Sequence, residues 1–190
     1  KAFTHAVNRQ EMLDSFFNSQ GTIISGPFAP GSWAYNLDVQ PLSFDPEKAR
    51  ALLQEAGFSR DTDGFMQKDG KRLTLSLKIP IEKESEAVKR VVLAFKNYLK
   101  NIGADIKVEF KELQAWNEDV FFEHDFDIIF AMLVFDDSAD ISSLFHSGEI
   151  GAWKYNFGGY SNPEVDGLIN ESKLTLDHEK RRTINRKLHA

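Results

Sequence analysis

The order of hydrophobic periods between Leu73 and Phe110 constrains the fold more than any other feature of this chain. Leu73-Thr-Leu-Ser-Leu-Lys-Ile79 alternates apolar and polar residues, the period of a strand with one buried face. Between Glu84 and Asn101, Val88, Val91, Val92, Phe95, Leu99 and Ile102 recur at helical spacing, and Gly103 supplies a stop. Alternation resumes in Ala104-Asp-Ile-Lys-Val-Glu-Phe110. Strand, helix and strand in that order form a βαβ unit, which demands parallel pairing and a right-handed crossover. The expected fold class is therefore α/β, with a mostly parallel sheet carrying helices on both faces.

Other segments fit around that unit. Phe126 to Val134 is apolar on both sides, as expected of a central strand covered by helices. In Phe44-Asp-Pro-Glu-Lys-Ala-Arg-Ala-Leu-Leu-Gln-Glu-Ala-Gly57, Asp45 is an N-cap, Pro46 fits the first helical position and Gly57 a stop. Ala49, Leu52, Leu53 and Ala56 give that helix one apolar face. Asp61-Thr-Asp-Gly64 and Lys68-Asp-Gly-Lys71 bracket a tight hairpin. Phe3, Ala6, Val7, Gln10, Leu13 and Phe17 share one side of an opening helix, and Gly21 to Leu42 reads as a long ordered loop. Further helices are expected over 113–123, 140–147 and 163–173, the last capped by Ser161 or Asn162, and from near Asp177 onward.

At 190 residues the chain is expected to form one domain over 1–190. Its longest apolar run, Ile128 to Phe135, is too short to cross a bilayer. A formal net charge of −6 argues against nucleic acid as a partner, and the basic cluster Lys180-Arg181-Arg182 with Arg186-Lys187 reads as a solvated helix face. No cysteine is present, so there is no disulfide or thiolate chemistry. The chain starts inside a helical pattern and stops uncapped at His189-Ala190, which reads as a piece truncated at both ends from a larger protein.

Signs of catalysis or cofactor binding are missing. An EF-hand starting at Asp61 would need ligands or glycine where Phe65, Met66 and Arg72 stand. The five histidines form no metal-binding spacing, and no nucleophile elbow, Walker loop or GxGxxG occurs. The expectation is a non-enzyme with no catalytic residue, no metal and no cofactor. Asp136-Asp-Ser-Ala-Asp140 stands out because it follows the apolar strand, and open α/β sheets bind ligands beyond the carboxyl ends of their strands. Asp136 and Asp137 would suit a cationic group there. The plainer alternative has both merely ending the strand while Asp140 caps the next helix. Among the loop aromatics, Trp33 and Trp153 are the candidates for lining a cleft.

Several segments together resemble the extracellular solute-binding proteins, family 5, of dipeptide and oligopeptide ABC transporters. Phe44 to Gly57 is similar to that family's "DPEKAR-LL-EAG" segment, and Lys1-Ala-Phe-Thr-His-Ala-Val-Asn-Arg-Gln10 to its opening helix. Gly26-Pro27 with Ser32-Trp-Ala-Tyr-Asn36, the 61–71 hairpin, Leu99-Lys-Asn-Ile-Gly103, Leu144-Phe-His-Ser147, Gly159-Tyr-Ser-Asn-Pro-Glu-Val-Asp166 and Asp177-x-x-Lys-Arg181 follow in the family's order. The resemblance implies a periplasmic-binding-protein type II-like lobe, the C-terminal one of two, lacking its N-terminal partner lobe. It further implies capture of a short peptide or related small ligand for a membrane permease, in a periplasmic or extracellular and possibly lipid-anchored protein. The family's "W-x-x-D" at the strand end, whose Asp pairs with a peptide ammonium, maps onto Leu133 and Asp136, or onto Asp137 with the register shifted by one. Phe135 adjoins that position. Leu133 replaces the family's Trp, Ala139 replaces a usual Pro, and no Arg lies over 113–134 to meet a peptide carboxylate. A less polar or a cationic ligand stays open. So does a second use of the same module, as the solute-binding sensor of a regulatory protein.

Overall fold

The structure is a computed structural model that describes residues 1–81, 85–134 and 137–190. The chain divides into two compact units, threading from one to the other several times.

The first unit comprises Lys1–Ile23, Leu42–Trp116 and Phe126–Ala131. At its centre β4 (Thr74–Pro80) pairs in parallel with β5 (Asp105–Lys111), in register from Thr74 opposite Asp105 to Pro80 opposite Lys111. Helix α4 (Glu86–Asn101) joins them, so the βαβ unit forms as its periodicity dictates. The Ser85 hydroxyl caps α4 by accepting the Val88 N–H at 3.2 Å. Val92, Leu99, Ile102, Ala104 and Ile106 bury their side chains against Leu77 and Ile79 of β4.

The apolar run 126–134 departs from expectation. Only β6 (Ile128–Ile129) joins the sheet, in parallel with β4, and the strand order is β5-β4-β6. β4 is thus the central strand, its Leu77, Lys78, Ile79 and Pro80 all buried. After the Phe130 N–H donates to the Lys78 carbonyl, the chain leaves the ladder, and Met132, Leu133 and Val134 are exposed. Apolarity on both sides announces that a segment is covered; it cannot say by what, nor where backbone pairing ends.

The opening helix is also interrupted. α1 (Ala2–Ala6) and α2 (Arg9–Phe17) are separated at Val7, which is extended, because the Asn8 side chain accepts the Glu11 N–H and starts a new helix. Phe17, expected on the buried side, is 54% exposed. α1 is tied to α3 (Pro46–Glu55): buried His5 donates from Nδ1 to the Ser43 carbonyl at 2.8 Å, and the Asp45 N–H donates to the His5 carbonyl. Asp45 caps α3 by accepting the Lys48 N–H at 2.9 Å.

The 61–71 segment folds as expected, within an antiparallel sheet of β1 (Ser59–Arg60), β2 (Met66–Lys68) and β3 (Lys71–Arg72). Asp61 accepts the Asp63 and Phe65 N–H groups and, with Asp63, binds Arg72. Desolvation opposes its ionisation, but the Phe65 N–H and the Arg72 guanidinium outweigh it and hold the Asp61 carboxyl below the usual range. Gly103 has φ +89°, and a Cβ there would lie 2.9 Å from the Met66 backbone nitrogen, whose N–H donates to the Gly103 carbonyl.

The second unit comprises Ile24–Pro41, Asn117–Asp125 and Met132–Ala190. The helix expected over 113–123 is α-helical only in α5 (Leu113–Asn117) and continues as a π-helix over Glu118–Glu123. Instead of one helix over 140–147 there is a short α6 (Ser142–Phe145) and a 3₁₀ turn over Ser147–Glu149. α7 (Pro163–Leu174) and α8 (His178–His189) begin at the caps Asn162 and Asp177. They pack together, with Ser172 donating to Asn185 at 2.7 Å in the buried seam. The Gly- and Pro-rich loop wraps over this unit's core, burying Phe28, Ala34 and Tyr35 with Ile141 and Ile169.

Candidate ligand-binding site

In the second unit a groove opens beside Met132, Leu133 and Val134. The groove, of about 580 Å³, is lined by Met132, Leu133 and Val134, by Ser138 and Asp140, by the first residues of α6 and by Tyr155. Met132 is 82% and Val134 89% exposed, so this wall presents bare apolar surface to solvent.

The turn that shapes the groove is held locally. Ala139 adopts φ +54°, the Asp140 N–H donates to the Ser138 hydroxyl, and Asp140 Oδ1 accepts the Ser142 N–H at 2.9 Å. The capping role expected of Asp140 falls one residue off: the N-cap of α6 is Ile141, which makes no side-chain cap bond, and Asp140, the residue before it, braces the helix start through the Ser142 N–H. Its other oxygen lies 3.4 Å from the Lys173 ammonium. Partial burial disfavours its charge, yet the Ser142 hydrogen bonds and Lys173 prevail and keep the carboxyl ionised below its ordinary pKa. Asp140 is the only charged side chain among the described residues lining the groove, and it is already partnered.

The candidate residues fall in three places. Leu133 lines the groove. Asp137 is exposed and borders a smaller pocket of about 180 Å³ with Pro27, Phe28, Gly31 and Ser32, while its carbonyl accepts the Trp33 indole N–H at 3.1 Å. Trp33 is held against α8, its ring 4.9 Å from that of His178 and beneath the Arg181 guanidinium at 5.2 Å. Trp153 is elsewhere, 60% exposed at φ +61°, its N–H bonded to the Phe121 carbonyl and its ring nearly parallel to that of Phe121. Phe135 and Asp136 lie outside the described residues.

Sequence reasoning missed Tyr155, Met132 and Val134. Tyr155 meets Phe121 edge-on at 5.4 Å and so joins the Trp153 cluster to the groove. The density of aromatics between Trp153 and Tyr160 was the available signal. The Ser147 hydroxyl and N–H both donate to Asp166, depressing its pKa and pinning the 3₁₀ turn to α7. That hydroxyl is directed at a carboxylate rather than at His146, whose Nδ1 accepts the Gly148 N–H, so the trio is a brace and not a nucleophile with its base. Among the described residues no group of His, Cys, Asp and Glu gathers to hold a metal, and no helix is long and apolar enough to cross a membrane.

Comparison with known proteins identifies the family and the fold. A family model described as bacterial extracellular solute-binding proteins, family 5 middle, matches residues 1–152. The oligopeptide-binding protein AppA of Bacillus subtilis is 29% identical over 187 residues, covering 94% of this chain and 33% of its own length. The structure of that AppA in complex with a nonapeptide aligns with TM-score 0.85 and 26% identity, over 99% of this chain and 38% of that one. The oligopeptide-binding protein from Thermus thermophilus complexed with a pentapeptide shares the fold at TM-score 0.84 and 24% identity, over 99% of this chain and 34% of that one. The nickel-binding periplasmic protein of Escherichia coli is 28% identical over 110 residues, covering 57% of this chain and 20% of its own length. The chain spans about a third of the length of AppA. The α/β architecture is that of a type II periplasmic-binding-protein lobe. With most of its length matched by the family model and its fold shared with these relatives, the chain belongs to the bacterial extracellular solute-binding proteins, family 5.

Proposed function

We propose that the chain is one lobe of the solute-binding component of an ABC importer, and that it captures a short peptide for delivery to a membrane permease. The observation that carries this reading is the open groove lined by Met132, Leu133 and Val134, in a chain similar along nearly its whole length to AppA, an oligopeptide-binding protein. Binding proteins of hinged design enclose their ligand between two bodies, and a groove open to solvent suits one half of such an enclosure. The remainder of the longer protein would supply the other half. Periplasmic or extracellular residence follows from the same reading, as does the lack of a catalytic role.

In this reading Asp136 receives the ligand's ammonium, with Asp137 second in line. Asp136→Asn in the full-length protein is expected to weaken a ligand with a free amine at least about tenfold, because a buried ammonium then loses its counter-charge. Isothermal calorimetry with a peptide and its N-acetylated form checks this; equal affinities for wild type and variant remove Asp136 from the site. The reading as a whole is tested by mass spectrometry of small molecules that co-purify with the native full-length protein. Recovery of peptides supports it, and recovery of a metal chelate or haem alone, with no peptide binding by calorimetry, overturns it.

A further inference from the structure

We propose that a single water molecule is a built-in part of the seam between α7, α8 and the turn at Ala139, and that it ties to α8 the turn that shapes the groove. The site concerns what holds the groove in shape and stands whatever the groove binds.

The seam is short of acceptors. Asn185 on α8 is fully buried; its Oδ1 accepts the Ser172 hydroxyl of α7 at 2.7 Å, and its Nδ2 has no hydrogen-bond partner among the described residues. One helical turn earlier, Arg181 donates from Nη2 to the Ser138 carbonyl at 2.8 Å and lies over the Trp33 ring, yet its buried Nε has no partner either. Buried donors left in this state are costly, and folded proteins rarely keep them without an acceptor. Arg182 and Arg186 also bury an unpaired Nε, but neither lines the space that Arg181 and Asn185 share.

That shared space is a cavity of about 10 Å³, bordered as well by Ser172 and by Asp140. Its volume admits one water molecule and nothing larger. The polar groups around it suit water better than an ion. Two donors, Asn185 Nδ2 and Arg181 Nε, are matched by two acceptors with lone pairs to spare, the Ser172 hydroxyl oxygen and the Asp140 carboxylate. A water molecule accepts two hydrogen bonds and donates two, so it completes all four groups at once. An anion would be repelled by Asp140, and a metal cation by Arg181 and by Lys173, which also borders the cavity.

The consequence reaches the groove. Asp140 accepts the Ser142 N–H at the start of α6, and Ala139 before it holds φ +54°, a backbone conformation that a residue with a side chain adopts only when its surroundings enforce it. Ser138 and Asp140 both line the groove, so a water held by α8 and bonded to Asp140 fixes that lining from behind.

Crystals of the full-length protein, soaked briefly in sodium bromide and measured at a resolution that shows ordered solvent, test the site directly. The expected result is one solvent peak within hydrogen-bond reach of Asn185 Nδ2 and Arg181 Nε, without anomalous signal at the bromine edge. No peak there, or a bromide in its place, overturns the proposal. The hold on the turn is tested by hydrogen exchange in the Ser172→Ala/Asn185→Leu double variant, which replaces the bonded pair by apolar groups and leaves the water too few partners. Exchange over residues 138–145 is expected to quicken at least about threefold while that of β4 and α4 stays as in the wild type. In a dry seam the same exchange of a paired hydroxyl and amide for apolar groups is close to neutral, so unaltered exchange over 138–145 overturns the water's role in holding the turn. The solvent peak in the wild type decides the matter even where the variant does not fold.

Discussion

His189 is clasped by the loop it packs against, so its protonation state is coupled to the fold. Its Nδ1 accepts the Asn36 N–H at 3.2 Å, which leaves Nε2 to donate to the Ser25 hydroxyl at 2.8 Å, and Phe28 and Tyr35 close over the ring. Burial lowers its pKa from the ordinary 6.5. The unfolded chain therefore takes up the proton first: the contribution is complete above about pH 6.5 and is lost as the pH falls through that value toward the folded pKa. Thermal melts are expected to show stability falling on acidification through this window, with a shallower fall in His189→Gln; parallel pH curves would contradict it. At this scale the sequence was legible where chemistry is local. Asp45, Asn162 and Asp177 cap the helices they precede, because a short polar side chain needs only its own backbone a few residues on. The fate of Trp33 was not legible. Its neighbours His178 and Arg181 are brought to it by α8, and nothing in the local pattern encodes that meeting.

At the level of elements, the join between β2 and the turn after α4 depends on one residue without a side chain. Gly103→Ala would press a methyl group against the Met66 backbone at positive φ, and neither β2 nor α4 can shift without disturbing the core. The expected cost is about 2 kcal/mol or more, measured by urea denaturation. Asp45→Ala, which removes only the α3 cap, is expected to cost about 1 kcal/mol. The βαβ core was legible because each of its elements carries its own period and stop signal. The ends of the 126–134 and 113–123 segments were not, since they depend on where ladder partners run out and on a change from α to π winding that leaves the apolar spacing nearly intact.

For the whole molecule, the proposed receptor role turns on the groove being open to solvent. The 190 residues alone are expected to bind peptides at least about a hundredfold more weakly than the full-length protein, because enclosure from a second side supplies much of the buried area. Micromolar binding by the isolated chain, seen by calorimetry, would contradict this. The family was legible because its segments recur in order along the chain, whereas the groove's apolar wall and Tyr155 emerged only from the folded arrangement. The three tryptophans bring an optical consequence of their own. Trp116 is buried, Trp33 is screened by His178 and Arg181, and Trp153 stands 60% exposed on Phe121, one ring away from Tyr155 at the groove. Red-edge emission should therefore come chiefly from Trp153, so acrylamide should quench it first, and a peptide settling against Tyr155 should shift its spectrum without any added dye.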